Sequence, residues 1–366
     1  MSLFSSAAAP CAPADNMNDC AGLVSLYNVT AAAGTPLDWP LDASLCTWNG
    51  VFCDADGRAS SLIPSALYLQ GSVPSELSRL DRLKKLWLDY NTLSGTVPPQ
   101  LGRVNSSLTD LWLPFNSQLS GTVPPQLGRL PSISLLFLYS NRMSGTMPPV
   151  LSSAGSITQL DLTETLISGT LPVALGKLTR LSLIDTYNSS LSGTLPPELL
   201  GQITSIETLG FGETALSGTL PTELGRLTAM SNLILNEIRL SGTVPDTICS
   251  LFAPEGNLFE CDLADNTFAC PLPACGRGVS AVRSASDVKT KGTLVHNARE
   301  LSLAVLIFGN ILHSLPHRSH ECILRPHLVC ENILRIHIGF TPSKVQCSKA
   351  SRRTSQISVP EQCKAN

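Results

Sequence analysis

The chain has 366 residues, 43% of them hydrophobic, and a formal net charge of −3, a balance that gives no reason to expect a nucleic-acid partner. That balance hides a division: residues 1–275 carry 12 Lys/Arg against 23 Asp/Glu (−11), and residues 276–366 carry 13 against 5 (+8). All six histidines lie beyond residue 295, so residues 1–275 have no Ser-His-Asp or Cys-His centre, and no Gly-rich phosphate loop follows a strand pattern there.

The first segment, MSLFSSAAAP, has neither the basic start nor the apolar run of a signal peptide. Cys11, Cys20, Cys46 and Cys53 follow it, four more cysteines lie at 249–275 and four in the tail, with none between 53 and 249. Even-numbered groups flanking a cysteine-free stretch suggest disulfide-stapled ends made in an oxidising compartment, although reduced structural thiols fit the same pattern. Three N-x-S/T triplets, at Asn28, Asn105 and Asn188, agree with a secretory route, so an extracellular or cell-surface location is expected.

From residue 69 the chain repeats itself. LSGTVPPQLGRV at 93–104 returns as LSGTVPPQLGRL at 119–130, with variants starting at 69, 143, 167, 191, 216 and 240. Gly71, Gly95, Gly121, Gly145, Gly169, Gly193, Gly218 and Gly242 are 24, 26, 24, 24, 24, 25 and 24 residues apart, a leucine-rich-repeat period. Upstream, Leu80, Leu83, Leu86, Leu88, Asn91 and Leu93 spell L-x-x-L-x-x-L-x-L-x-x-N-x-L. The L-x-L core alternates with period two and predicts a short strand with its leucines inward. The Asn turns the chain and can pair backbone groups at a tight inner corner. S-G-T needs a residue without Cβ at a bend, and the prolines fix an extended stretch before a short helical turn around L-G-R-L. Such a coil cannot bury its own apolar edge, so neighbours must stack. Leu88→Ala should cost about 2–5 kcal/mol.

The predicted fold is thus an α/β leucine-rich-repeat solenoid, a curved right-handed superhelix with a parallel sheet on its concave face. Its expected divisions are an N-terminal segment and cysteine-containing cap at 1–58, the solenoid with its C-terminal cap at 59–275, and a basic, poorly ordered tail at 276–366. Thr165, Ser189, Thr214 and Ile238 replace the turn Asn in later coils, so its ladder should be interrupted, and extra residues at Ser117-Gln118 and near Gly201 should form bulged loops.

The residue between the two leucines, read coil by coil, is Trp87, Trp112, Phe137, Asp161, Asp185, Gly210, Ile234 and Asp262. Neighbouring columns add Tyr90, Phe115, Tyr139 and Tyr187 at one end and Glu164, Glu213, Glu237, Glu260 and Asp265 at the other, which polarises the face. Water-facing aromatics in contiguous columns mark a binding surface, unless they stack on one another along the sheet. The candidate ligand-binding residues are Trp87, Tyr90, Trp112, Phe115, Phe137, Tyr139, Asp161, Glu164, Asp185 and Tyr187. Asp161 and Asp185 on adjacent coils could do glycosidase work, but an open face does little to raise a carboxyl pKa, so no catalytic residue and no enzyme activity are expected.

Beyond the repeats, LSLAVLIFGNIL at 301–312 is too short for the roughly 20 residues of a membrane-spanning helix, and none is expected. His313, His317, His320, Cys322, His327 and Cys330 match no zinc spacing, so no metal and no cofactor are expected.

WPLDASLCTWNGVFCDADGR, with Cys46, Trp48, Gly50, Val51 and Cys53 leading into the first coil, closely resembles the N-terminal cap of plant-type extracellular leucine-rich-repeat proteins. That family includes polygalacturonase-inhibiting proteins and receptor-kinase ectodomains. The resemblance implies that Cys46 pairs with Cys53, that Trp48 packs over the first coil, and that DCAGLVSLYNVT opens the cap as a helix. CPLPAC at 270–275, with Cys270 and Cys275, resembles the C-terminal cap. The function it implies is non-catalytic recognition of a protein or peptide ligand, a cell-wall polysaccharide or a secreted hydrolase on the concave face. A fragment of a membrane receptor or receptor kinase, or a structural wall protein, are the alternatives.

Overall fold

A computed structural model describes residues 11–103, 107–252, 256–269, 273, 275 and 356–358. The tail histidines and cysteines, Asn105 and Cys270 lie outside the described residues.

The chain opens with helix α1, Met17–Ala32. Asn16 caps it, its side chain accepting from the amides of Asn18 at 3.0 Å and Asp19 at 3.2 Å. Buried Asp19 ties the helix to the first coil: the Arg58 guanidinium donates to its two oxygens at 2.9 and 3.0 Å, and the Ala59 amide adds a third bond at 2.9 Å. Disulfides Cys11–Cys20 and Cys46–Cys53 close the cap, the second being the pairing the family resemblance implies. Trp48 stacks on Trp39 with centroids 5.0 Å apart and joins the core under the first coil, as expected.

The coils then rise in a single parallel ladder. Nine strands form its rungs: Ala59–Leu62, Lys85–Trp87, Asp110–Trp112, Leu135–Phe137, Gln159–Asp161, Leu183–Asp185, Thr208–Gly210, Asn232–Ile234 and Glu260–Asp262, numbered here 1 to 9. Val51–Cys53 pairs antiparallel with rung 1, and Gln356–Ser358 pairs in parallel with rung 9. Inward leucines such as Leu86, Leu88, Leu111, Leu113, Leu136 and Leu138 are fully buried in one continuous core running from Trp39 to Phe268. This is the α/β solenoid of stacked coils that the 24-residue period demands.

Each coil returns through a second sheet of eight short strands, seven on the S-G-T segments from Ser94–Thr96 to Arg239–Thr243 and the last at Thr267–Ala269. The two ladders differ in register. In the first, equivalent residues face each other, as in Trp87 opposite Trp112. In the second, Thr96 faces Ser120, and Thr122 faces Ser144, an offset of two residues per rung. Equivalent atoms are therefore about 4.8 Å apart on one side and roughly 8 Å apart on the other, given about 3.3 Å of rise per residue. The first sheet, with its rungs in strict register, is the one the repeat pattern assigns to the concave face.

That offset explains the S-G-T triplet. It brings the Thr96 methyl over Gly121, so that a Cβ on the glycine would lie 2.7 Å from it, and the same contact recurs for Thr122 over Gly145 and Thr146 over Gly169. Gly121 also sits at φ +81°, where a side chain is strained. The serine donates its hydroxyl to the glycine carbonyl of the preceding rung: Ser120 to Gly95 at 3.1 Å, Ser168 to Gly145 at 3.2 Å, Ser192 to Gly169 at 3.2 Å.

The turn asparagines bridge rungs where they occur. Asn116 donates to the carbonyls of Leu88 and Leu113, both at 3.0 Å, and accepts from the Leu93 amide at 3.0 Å. Thr165 and Thr214 donate to a carbonyl of their own rung, at 2.6 and 2.7 Å, Thr214 also accepting from the Leu216 amide of the same coil at 3.5 Å, and Ile238 has no polar atom to offer, so the ladder is interrupted as expected. The bulge expected near Gly201 is a correction. The extra residue instead turns the usual 3-10 turn into an α-turn, Pro197–Leu200, with Gly201 donating to Pro197 at 2.8 Å. At the far end Cys275 pairs with Cys249, and Cys261 is a buried thiol in the inward position of rung 9.

Gly121→Ala should destabilise the chain by about 2–4 kcal/mol through strain and overlap together. Thr96→Ser in the same chain, which removes the methyl, should restore part of the loss, whereas Gly155→Ala, with open space around it, should be near neutral. Denaturant midpoints of the four proteins give the comparison.

Candidate ligand-binding face

The concave ladder places Trp87, Trp112, Phe137, Asp161, Asp185, Gly210, Ile234 and Asp262 directly opposite one another, rung to rung, in the column read from sequence. Three residues on, Tyr90, Phe115 and Glu164 share a second column with Ser140, Asn188, Glu213, Glu237 and Asp265. Every one of these eight has a left-handed φ between +50° and +55°. Tyr139 and Tyr187 fall one residue short of that column and point from the positions that Asp89 and Asn236 hold in their own rungs.

The expectation of water-facing tryptophans is corrected. Trp87 and Trp112 are each only 5% exposed and Phe137 2%, yet none belongs to the leucine core. Rungs about 4.8 Å apart are too close for large rings to stand separately, so they pack on each other. Trp87 and Trp112 tilt with centroids 5.7 Å apart, and Phe137 meets Trp112 edge-on at 4.3 Å. A second row runs beside them, Tyr90 stacked on Phe115 at 4.3 Å and Phe115 edge-on to Tyr139 at 5.3 Å. Tyr90, at 42%, is the ring of this block most open to solvent. Lys85 holds its Nζ 5.2 Å from the Trp87 ring centroid, and Trp87 Nε1 is buried without a hydrogen-bond partner.

The acidic block is partly bonded within itself. The Tyr187 phenol donates to Glu213, and burial together with that carboxylate pushes the phenol's pKa up. Ser140 donates to Glu164 at 2.6 Å and Asn232 to Glu260 at 2.8 Å. Gly210 and Gly212 leave room in rung 7 into which Asp185, Tyr187 and Asn236 lean.

The view that this face leaves carboxyl pKa values alone is also corrected. Burial raises the carboxyls of Asp89 and Asp110 at the aromatic end and of Asp262 at the acidic end. Asp89 accepts from the Ser65 hydroxyl at 2.5 Å. Asp89 and Asp110 were missed by a reading confined to the residue between the leucines; they sit two places on either side of it, in columns that alternation also turns to this face. Among the described residues no group of three or more His, Cys, Asp or Glu could hold a metal ion, and no helix is long and apolar enough to cross a membrane.

Comparison with known proteins agrees with this architecture. Residues 82–104 match the Leucine Rich Repeat family model. The chain folds as a leucine-rich-repeat solenoid and is similar to plant receptor ectodomains. Over 63 residues it is 36% identical to the Receptor-like kinase TMK4 of Arabidopsis thaliana, covering 17% of this chain and 7% of that one. The plant peptide hormone receptor RGFR1, solved in complex with RGF2, superposes with a TM-score of 0.52 at 28% identity, over 55% of this chain and 31% of that one. A plant ice-binding protein gives a TM-score of 0.55 at 27% identity, over 72% of this chain and 90% of that one. The chain thus spans less than a third of the two receptor relatives.

The raised carboxyls set a pH dependence. A carboxyl whose pKa is higher folded than unfolded binds more protons when folded, so its contribution to stability grows as pH falls from neutral toward about 4. The Tm of the unaltered chain minus that of Asp262→Asn should rise as pH falls from neutral toward about 4, and a difference that falls over that range would contradict the burial assigned to Asp262.

Proposed function

We propose that this protein recognises a protein or peptide ligand on the concave face of its solenoid, without catalysis. The observation that carries this reading is the strict register of the face, which sets an aromatic block on rungs 2–4 beside an acidic block on rungs 5–9. Aromatic anchors next to like-signed charges suit a chain with apolar and basic side chains. The likeness to a peptide hormone receptor supports the same reading. Three disulfides require an oxidising compartment, which supports an extracellular or surface location.

A screen of the full chain against peptides, secreted hydrolases and wall glycans tests this. The ligand captured should be a peptide or protein. Tyr90→Ala and Glu237→Gln, both at exposed positions, should each weaken it about tenfold, or about 1.4 kcal/mol, with little change in Tm. Undiminished affinity in both variants would remove the concave face from the proposal.

One observation favours a second reading. Thr96, Thr122, Thr146, Thr170, Thr194, Thr219 and Thr243 form an exposed column on the second sheet, one per coil, and a plant ice-binding protein shares the fold. A rigid row of hydroxyl and methyl groups at a fixed interval suits a periodic surface such as ice. In that case the protein slows ice recrystallisation, and Thr146→Lys with Thr170→Lys abolishes the effect; no effect from the unaltered chain rejects this reading.

A further inference from the structure

We propose that Asn188 carries an N-linked oligosaccharide that stands on the rim of the concave face within its acidic block. Asn188-Ser189-Ser190 is an acceptor triplet without a proline in its middle position. Both Asn188 and Ser190 are exposed, and neither side chain hydrogen-bonds to the described residues. The asparagines that the fold uses, Asn91, Asn116, Asn141 and Asn266, are buried at the turn position of their rungs. In this rung Ser189 takes that place, offering its hydroxyl to the Leu191 amide at 3.4 Å. Asn188 serves the rung through its backbone alone, with φ +50° and an N–H donated to Gly212 at 3.0 Å. Its side chain is therefore surplus to folding and free to be modified. Asn28 differs, because the hydroxyl of its partner Thr30 is buried and donates to Leu26 and Tyr27, both at 3.0 Å.

The chemistry is a transfer from a lipid pyrophosphate-linked oligosaccharide. The amide nitrogen of Asn188 attacks the anomeric carbon, the carbon–nitrogen bond forms as the carbon–oxygen bond to pyrophosphate breaks, the nitrogen loses one proton and the lipid pyrophosphate departs. No oxidant or reductant is needed. The three disulfides indicate folding in the oxidising compartment in which such donors act.

Position gives the modification a consequence, which rests on the concave-face reading. Asn188 lies in the rim column between Glu164 and Glu213. A branched oligosaccharide is wider than the rung spacing of about 4.8 Å, so it covers part of the acidic block and leaves rungs 2–4 open. A ligand then engages the aromatic end first.

The test uses the full chain secreted from plant cells with Asn28→Gln and Asn105→Gln, so that only one acceptor remains. Glycopeptide mass spectrometry should find most Asn188 occupied, and Ser190→Ala should abolish occupancy without changing the melting profile. A secreted, disulfide-bonded protein with bare Asn188 would overturn the assignment. Hexa-arginine peptide then probes the acidic block: the Ser190→Ala protein, which lacks the glycan but keeps Asn188 uncharged, should bind it at least about threefold tighter than the glycosylated form. Equal binding by the two forms would overturn the screening role while leaving the modification standing, and no binding by either form would count against both that role and the acidic block in the concave-face reading.

Discussion

Every rung of this protein leaves its inward leucines bare until the next rung lies on it. That constraint determines the rest: a coil of about 24 residues has one apolar edge and no partner of its own, so the stack is stable only as a stack. The requirement reaches the outer side of each coil. A methyl on one threonine lies over the next glycine, and a serine hydroxyl reaches back to the previous glycine carbonyl. The triplet that looks like a flexible loop in sequence is a set of contacts between rungs.

Much of this was legible from residue spacing. Periodicity separated inward Leu86 and Leu88 from outward Trp87, and it aligned the outward residues of successive coils although the coils differ in length, because the paired inward leucines mark the same position in each rung. The cap was legible for a different reason: Cys46, Trp48 and Cys53 combine a short covalent loop with a large apolar ring, and both find their places.

Burial was not legible. Whether Trp112 faces water depends on the rings beside it, and a column of large side chains at the rung spacing covers itself. The carboxyls of Asp89 and Asp110 are shielded on the same face. The Thr-over-Gly contact also escaped, since it follows from a two-residue offset between strands that no single coil reveals. Likewise, the extra residue near Gly201 tightens into an α-turn because an added residue can lengthen a helical turn at less cost than it can break a stacked contact.

The interrupted asparagine ladder has a mechanical meaning. Side-chain amides stitch rungs together at Asn91, Asn116 and Asn141 and again at Asn266, while at Thr165, Ser189, Thr214 and Ile238 the link to the next rung is made by backbone bonds such as Asn188 N–H to Gly212, without a side-chain amide. The span without that extra set of side-chain bonds runs beneath the acidic half of the face, so at those corners the stack is held by its backbone ladder and leucine core.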